Sequence, residues 1–147
     1  MRLTTFSDYA LRVLIYLGSA PQRLATIEQI AAAYGVSGNH LMKVVHHLAQ
    51  RGYVETVRGK GGGMRLARAP QAIRIGEVVR TTEDSLALVE CFEQDGDCRI
   101  ARACVLKRAL AEALAAFFAV LDGYTLADLL APEAPLRRML ALRSPAR

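Results

Sequence analysis

Apolar residues near the start of the chain recur at helical spacing. Phe6, Ala10, Val13, Leu14 and Leu17 step by three and four, which places them on one face of a helix. Thr5 or Ser7 can cap this helix, and Gly18 is positioned to end it. Thr26-Ile27-Glu28-Gln29 carries the reciprocal capping pattern, so a second, short helix is predicted to run to Tyr34, with Gly35 left-handed behind it. Only Val36 separates that glycine from Ser37, another N-cap residue. A third helix is expected over residues 37–50, with Leu41, Val44, Val45 and Leu48 as its apolar stripe.

The pattern changes at Tyr53. Residues 53–58 are β-rich, residues 59–63 hold four glycines, and residues 64–68 read as a returning strand. A short helix is predicted over residues 75–82 and a long one over residues 102–121. The long helix carries Ala103, Leu106, Leu110, Ala113 or Leu114, Phe117 and Leu121 as a heptad-like seam. Gly123 ends it, and Thr125 caps a short helix over residues 126–130. The fold class is therefore mainly α with a small β-hairpin: a winged helix-turn-helix domain plus a long C-terminal dimerisation helix. The expected divisions are residues 1–82 for the winged domain, 83–104 for a cysteine loop, 105–131 for the long helix and its cap, and 132–147 for a frayed tail with three prolines.

Composition narrows the class. Of 147 residues, 52% are hydrophobic, too many for a disordered chain. No run approaches the roughly 18 unbroken apolar residues that a bilayer span needs, and residues 1–5 do not read as a secretion signal. A cytoplasmic protein with no membrane partner is expected. The net charge is +5, and it is unevenly placed. Residues 1–70 carry nine basic and three acidic residues, whereas residues 71–147 carry ten basic and eleven acidic ones. Positive charge confined to the winged half points to a polyanion, most simply double-stranded DNA.

Within that half, Ser37, Asn39, His40, Lys43 and His47 avoid the apolar stripe of the third helix, and His40, Lys43 and His47 share one side. The start of a recognition helix is where side chains first reach base edges. Arg58 and Lys60 sit on the Gly-rich tip, which suits a minor groove or phosphate. A paired His46-His47 has no cysteine or carboxylate nearby at metal-ligand spacing. The three histidines stand without a nucleophile or phosphate-loop motif, so an enzyme is not expected.

Cys91, Cys98 and Cys104 are the only cysteines. Their odd number argues against a disulfide framework, and their gaps are not those of a zinc site. Two readings stay open. They are reduced thiols packed as small hydrophobes, or they hold a thiolate-bound iron–sulfur cluster on a loop around Gly96. No histidine follows residue 47 to supply a local fourth ligand.

Together these features resemble the NsrR/IscR family of bacterial winged-helix iron–sulfur transcription regulators. The resemblance covers residues 1–131 and is carried by residues 6–12 (Phe-Ser-Asp-Tyr-Ala-Leu-Arg), residues 58–63 (Arg-Gly-Lys-Gly-Gly-Gly) and the three-cysteine loop. Position 107, where IscR-type members carry a histidine, is Lys107 here, and residues 121–129 are similar to the tail of the nitric-oxide-sensing NsrR branch. The resemblance implies a homodimer on palindromic promoter DNA and a 4Fe–4S cluster in preference to a 2Fe–2S one. It also implies ligation by Cys91, Cys98, Cys104 and Asp8 of the partner subunit, with Arg12 beside the cluster. A repressor that releases DNA on reaction with nitric oxide follows from it. The alternatives are a regulator of the same fold that reads iron, cluster or redox status, and a cluster-free regulator acting through its thiols.

Overall fold

The computed structural model describes residues 2–93 and 98–142. The expected loop centre at Gly96 and residues 143–147 lie outside the described residues. In chain order the elements are α1 (Thr5–Ser19), α2 (Ile27–Tyr34), α3 (Gly38–Gln50), β1 (Val54–Val57), β2 (Gly63–Leu66), α4 (Ile75–Thr82), α5 (Val105–Asp122), α6 (Leu126–Leu129) and α7 (Glu133–Met139). Short 3-10 turns stand at Pro70–Ala72 and Glu90–Phe92.

Helix α1 is the element around which the rest assembles. Its Ala10, Val13 and Leu14 are wholly buried, and it packs against α3, α4, β2, α6 and α7. Thr4, not Thr5 or Ser7, caps it by accepting from the Ser7 amide at 3.2 Å. The Ser7 hydroxyl is instead turned inward to Thr82 of α4 at 2.8 Å, which satisfies two buried polar groups at once. Thr4 also donates to Glu83 through its amide and its hydroxyl. Gly18 does not end the helix, as its spacing suggests. It lies inside α1 because Leu130 packs onto it, and a Cβ there would stand 2.5 Å from Leu130 Cδ1.

The capping box of α2 forms as its sequence predicts: Thr26 accepts from the Gln29 amide, and Gln29 accepts from that of Thr26. Gly35 is left-handed at φ 63°, and three residues later α3 begins. β1 and β2 pair antiparallel from Val54↔Leu66 to Val57↔Gly63. Ala25 adds a third short rung through two backbone bonds to Met64, 2.9 and 2.8 Å long. This rung locks the hairpin to the loop between α1 and α2.

The long helix begins later than residue 102. Cys104 occupies its N-cap, its Sγ accepting from the Lys107 amide at 3.4 Å, while residues 98–103 form turns instead. The joint between α4 and α5 is close. The Asp122 carboxylate fills the space where a side chain at Gly76 would stand, and Arg80 meets it with two bonds of 2.7 Å. The Arg80 guanidinium lies 4.3 Å from the centre of the Phe118 ring. That hydrogen bonding holds the Asp122 carboxyl below its ordinary pKa. The loops before α4 and α6 are joined by backbone bonds from Ile75 to Tyr124 and from Leu126 to Ile73.

The tail is not frayed over its described part. Residues 133–139 form α7, Leu140 is buried, and Arg137 donates to the Ser19 carbonyl at 3.0 Å. Leu140 and Leu142 supply apolar anchors for the end of α1, which outweigh the prolines. Pro135 falls in the first helical turn, where its missing N–H costs nothing.

Gly63 gives a direct test of the hairpin's anchorage. A Cβ at this position would stand 2.7 Å from the Ala25 carbonyl oxygen. Gly63→Ala is expected to push the Ala25 rung away and lower stability by about 1–3 kcal/mol, measured as a shift in the urea midpoint with an unchanged slope.

Candidate nucleic-acid interface and cysteine segment

Helix α3 presents its surface because its other side is fixed. Leu41, Val44, Val45 and Leu48 are buried, leaving Ser37, Asn39, His40, Lys43, His46 and Gln50 exposed. Ser37 occupies the N-cap position, but its side chain makes no capping bond, so its hydroxyl is free to meet a ligand. Lys43 has no ion-pair partner among the described residues. His47 departs from the expected grouping. It is half-buried, its ring edge-on to Phe6 at 5.4 Å, and its Nε2 is the buried side-chain atom left without a partner among the described residues. His40, on the same flank, leans towards Tyr9 at 6.3 Å. Spacing alone groups His40 and His47 with Lys43, but the proximity of α1 separates them. His46 and Met42 take the outward positions instead, and exposure opposite the apolar stripe is the signal that marks them.

The wing tip turns on Gly59 and Gly61, with φ of 98° and 77°, and closes with a bond from the Gly62 amide to the Gly59 carbonyl at 2.9 Å. Arg58 and Lys60 are exposed there. Two other cations of this half are already committed. Arg65 pairs with Glu55 across the hairpin at 2.6 Å. Arg68 donates to the carbonyls of Arg51 and Gly52 and stacks 4.6 Å from the Tyr53 ring centre. On the recognition helix and the wing, the cations left exposed and without an ion pair among the described residues are Lys43, Arg58 and Lys60; Arg2, Arg23 and Arg51 are likewise exposed elsewhere on this half.

On α1, Asp8 faces outward in the first turn and pairs with Arg12 at 2.9 Å. Arg12 lies between two rings, 6.0 Å from the centre of Tyr9 and 5.5 Å from that of Tyr34. Hydrogen bonding to Asp8 raises its pKa further. The Tyr34 hydroxyl donates to the Arg12 carbonyl at 3.1 Å, tying the end of α2 to this turn of α1.

All three cysteines are free thiols. Cys91 and Cys104 are half-buried and Cys98 is exposed. Cys91 lines a groove of about 990 Å³ that runs along α5 past Lys107 and Phe118. Among the described residues, no three His, Cys, Asp or Glu side chains are gathered at metal-binding distance, so within one chain the three sulfurs and Asp8 are not brought together. The donor set itself suits a thiolate-bound cluster. It offers three unpaired sulfurs on one segment, one of them at a helix start where backbone N–H groups favour negative charge.

Residues 3–132 match the model of the Rrf2 family, described as iron-dependent transcriptional regulators. The HTH-type transcriptional regulator NsrR of Bacillus subtilis is 51% identical over 145 residues, covering 97% of this chain and 99% of that protein. The NsrR of Geobacillus kaustophilus is 52% identical over 145 residues, with the same coverage. These relatives are named as regulators, not enzymes. Among solved structures, IscR of T. potens superposes with a TM-score of 0.74 at 26% identity, over 99% of this chain and 94% of that one. CymR of B. subtilis, the global cysteine regulator, gives 0.69 at 28%, over 88% and 95%. No helix among the described residues is long and apolar enough to cross a membrane.

Tyr34 makes the packing of this turn measurable. Burial pushes its pKa up to about 12, because the charged phenolate is poorly solvated in the packed site. A proton held more tightly in the folded state gives stability that is fully present below pH 10 and is lost as pH rises towards 12. Tyr34→Phe is expected to flatten this alkaline loss, leaving the smaller shares of Tyr16 and Tyr53, whose pKa values burial also raises. Urea midpoints of both proteins between pH 9 and 12 check it, and parallel curves would refute it.

Proposed function

The chain belongs to the Rrf2 family of iron-dependent transcriptional regulators, and on that footing we propose that it is a homodimeric repressor that senses nitric oxide through a labile 4Fe–4S cluster. The observation that carries the reading is a winged head with free cations at recognition helix and wing, joined to three free cysteines in a chain about half identical to NsrR proteins. A second copy is supported by α5. Val105, Leu106 and Val120 are each more than 60% exposed, a concentration of apolar surface that one chain leaves uncovered.

Cys91, Cys98 and Cys104 would hold the cluster from one subunit, with Asp8 of the partner subunit as fourth ligand. When bound, the group supplies iron that reacts with nitric oxide and a joint between the subunits. Asp8 would be the hard oxygen donor in a soft sulfur set, and so the weakest of the four contacts. Arg12 stands ready to pair with the released carboxylate, as it does in the single chain. Once the joint is lost, the two heads no longer hold their half-site spacing on palindromic promoter DNA. The two sites are coupled through one bistable geometry. Ser37, Asn39, His40 and Lys43 are placed to meet the major groove, and Arg58 and Lys60 the minor groove or phosphate. His47 contributes by seating α3 on Phe6.

Anaerobically reconstituted protein is expected to lose operator affinity on titration with nitric oxide. Unchanged affinity would sink the sensor reading. Cys98→Ala is expected to lack the visible absorption of a full cluster. If the wild-type protein purified without oxygen has no such absorption, the thiol-based alternative is favoured, which the exposure of Cys98 supports. Lys43→Ala and Arg58→Ala should each reduce the slope of log affinity against log salt by about one if each contacts a phosphate.

A further inference from the structure

We propose that Met42 reads the C5-methyl group of a thymine in the operator's major groove and so sets part of its sequence specificity. This rests on the DNA-binding reading above and names a residue that spacing and charge do not single out.

Met42 is 55% exposed in the second turn of α3, the N-terminal part of a recognition helix that enters the groove first. Its neighbours one turn away, Asn39 and His46, are exposed and polar, as is the adjacent Lys43. The opposite flank of α3 lies beside α1, where His47 is half-buried against Phe6 and His40 leans towards Tyr9 while staying exposed. Most other large exposed apolar side chains lie on the cysteine segment, α5 and the C-terminal helices, away from the winged head. Among the described residues of the head, only Val57, on the wing strand at 38%, joins Met42. An apolar side chain held in water among polar neighbours thus sits on the surface that would face base edges.

The chemistry of the groove floor fits this arrangement. Base pairs present hydrogen-bond donors and acceptors there, and thymine alone adds an apolar group. Asn39, Lys43 and His46 can answer the former but not the latter. Methionine is unbranched and polarisable, so it can fit itself around a methyl group whose exact height depends on the local DNA shape.

The test begins with the anaerobically reconstituted full-length protein, its cluster verified by visible absorption, selecting its operator from random duplexes. Each thymine of that operator is then replaced singly by deoxyuridine, which removes only the methyl group. At one thymine per half-site, the wild-type protein should lose about fourfold in affinity, the size expected for one buried methyl group. Met42→Ala should lose about as much on the intact operator and nothing further on the substituted one. Met42→Leu should retain the discrimination. The side chain is exposed, so both variants should melt as the wild type does. Equal losses on uracil substitution in wild type and Met42→Ala would overturn the proposal, as would a Met42→Ala loss that is the same on unrelated DNA. Failure of the wild-type protein to enrich any sequence is a different result, overturning the regulator reading on which the proposal rests.

Discussion

The packing of α1 decides where everything else in the molecule stands. Its inward side has no exposed atoms at Ala10, Val13 and Leu14, and interiors of native density tolerate little displacement. Helix α3 is held on one side of it, α4 on another, and the C-terminal helices close over its end through Leu130 on Gly18 and Arg137 on Ser19. The buried Ser7–Thr82 pair and the Thr4–Glu83 bonds fix its start to the end of α4. The cysteine segment leaves the fold directly after Glu83, so its point of departure is set by the same contacts.

Charge is sorted by this framework into two kinds. Arg65, Arg68 and Arg80 are held by carboxylates or carbonyls and by rings. They brace the hairpin and the α4–α5 joint, and they add little to a polyanion-binding surface. Among the described residues, Lys43, Arg58 and Lys60 are left exposed and unpaired on α3 and the wing, as are Arg2, Arg23 and Arg51 elsewhere. The excess of positive charge in residues 1–70 overstates the attractive surface for this reason. What matters for steering and phosphate contact is the part not already neutralised at short range.

Most of the fold is legible in the sequence because its elements carry local signals. The Thr26–Gln29 box, left-handed Gly35, the Gly-rich wing and the Thr125 cap are each satisfied within a few residues, so no distant partner can change them. The expectations that shift are those decided by distant contacts. Gly18 looks like a helix end but serves as a seat for Leu130, more than a hundred residues away. His47 looks solvated but is claimed by Phe6. Residues 133–142 look like a frayed tail until the end of α1 offers Leu140 and Leu142 a surface. The cysteines were legible as a constellation, but their side chains are not gathered in one chain. If, as proposed, the site is completed by a bound group and a second subunit, one chain leaves no local pattern of closure to read.

The arrangement on α1 also explains how one short stretch can serve two purposes. Residues 6 to 12 alternate in direction around the helix. Asp8 and Arg12 face outward together, Ala10 faces the core, and Phe6 and Tyr9 lean on the histidines of α3. Arg12 reaches further, to the ring of Tyr34 at the end of α2, whose hydroxyl grips its carbonyl. Both helices of the helix-turn-helix therefore touch the two turns of α1 that carry Asp8. A change in what Asp8 binds acts on a rigid element with two discrete contacts to the reading head, so even a small rotation of α1 is passed to α3 rather than absorbed in a loop. In the proposed dimer such a rotation would act on half-site spacing, which one head alone does not have. In the proposed regulator this couples Asp8 to the recognition helix: α1 is packed against α3 and α4 along its length and its buried face tolerates little displacement.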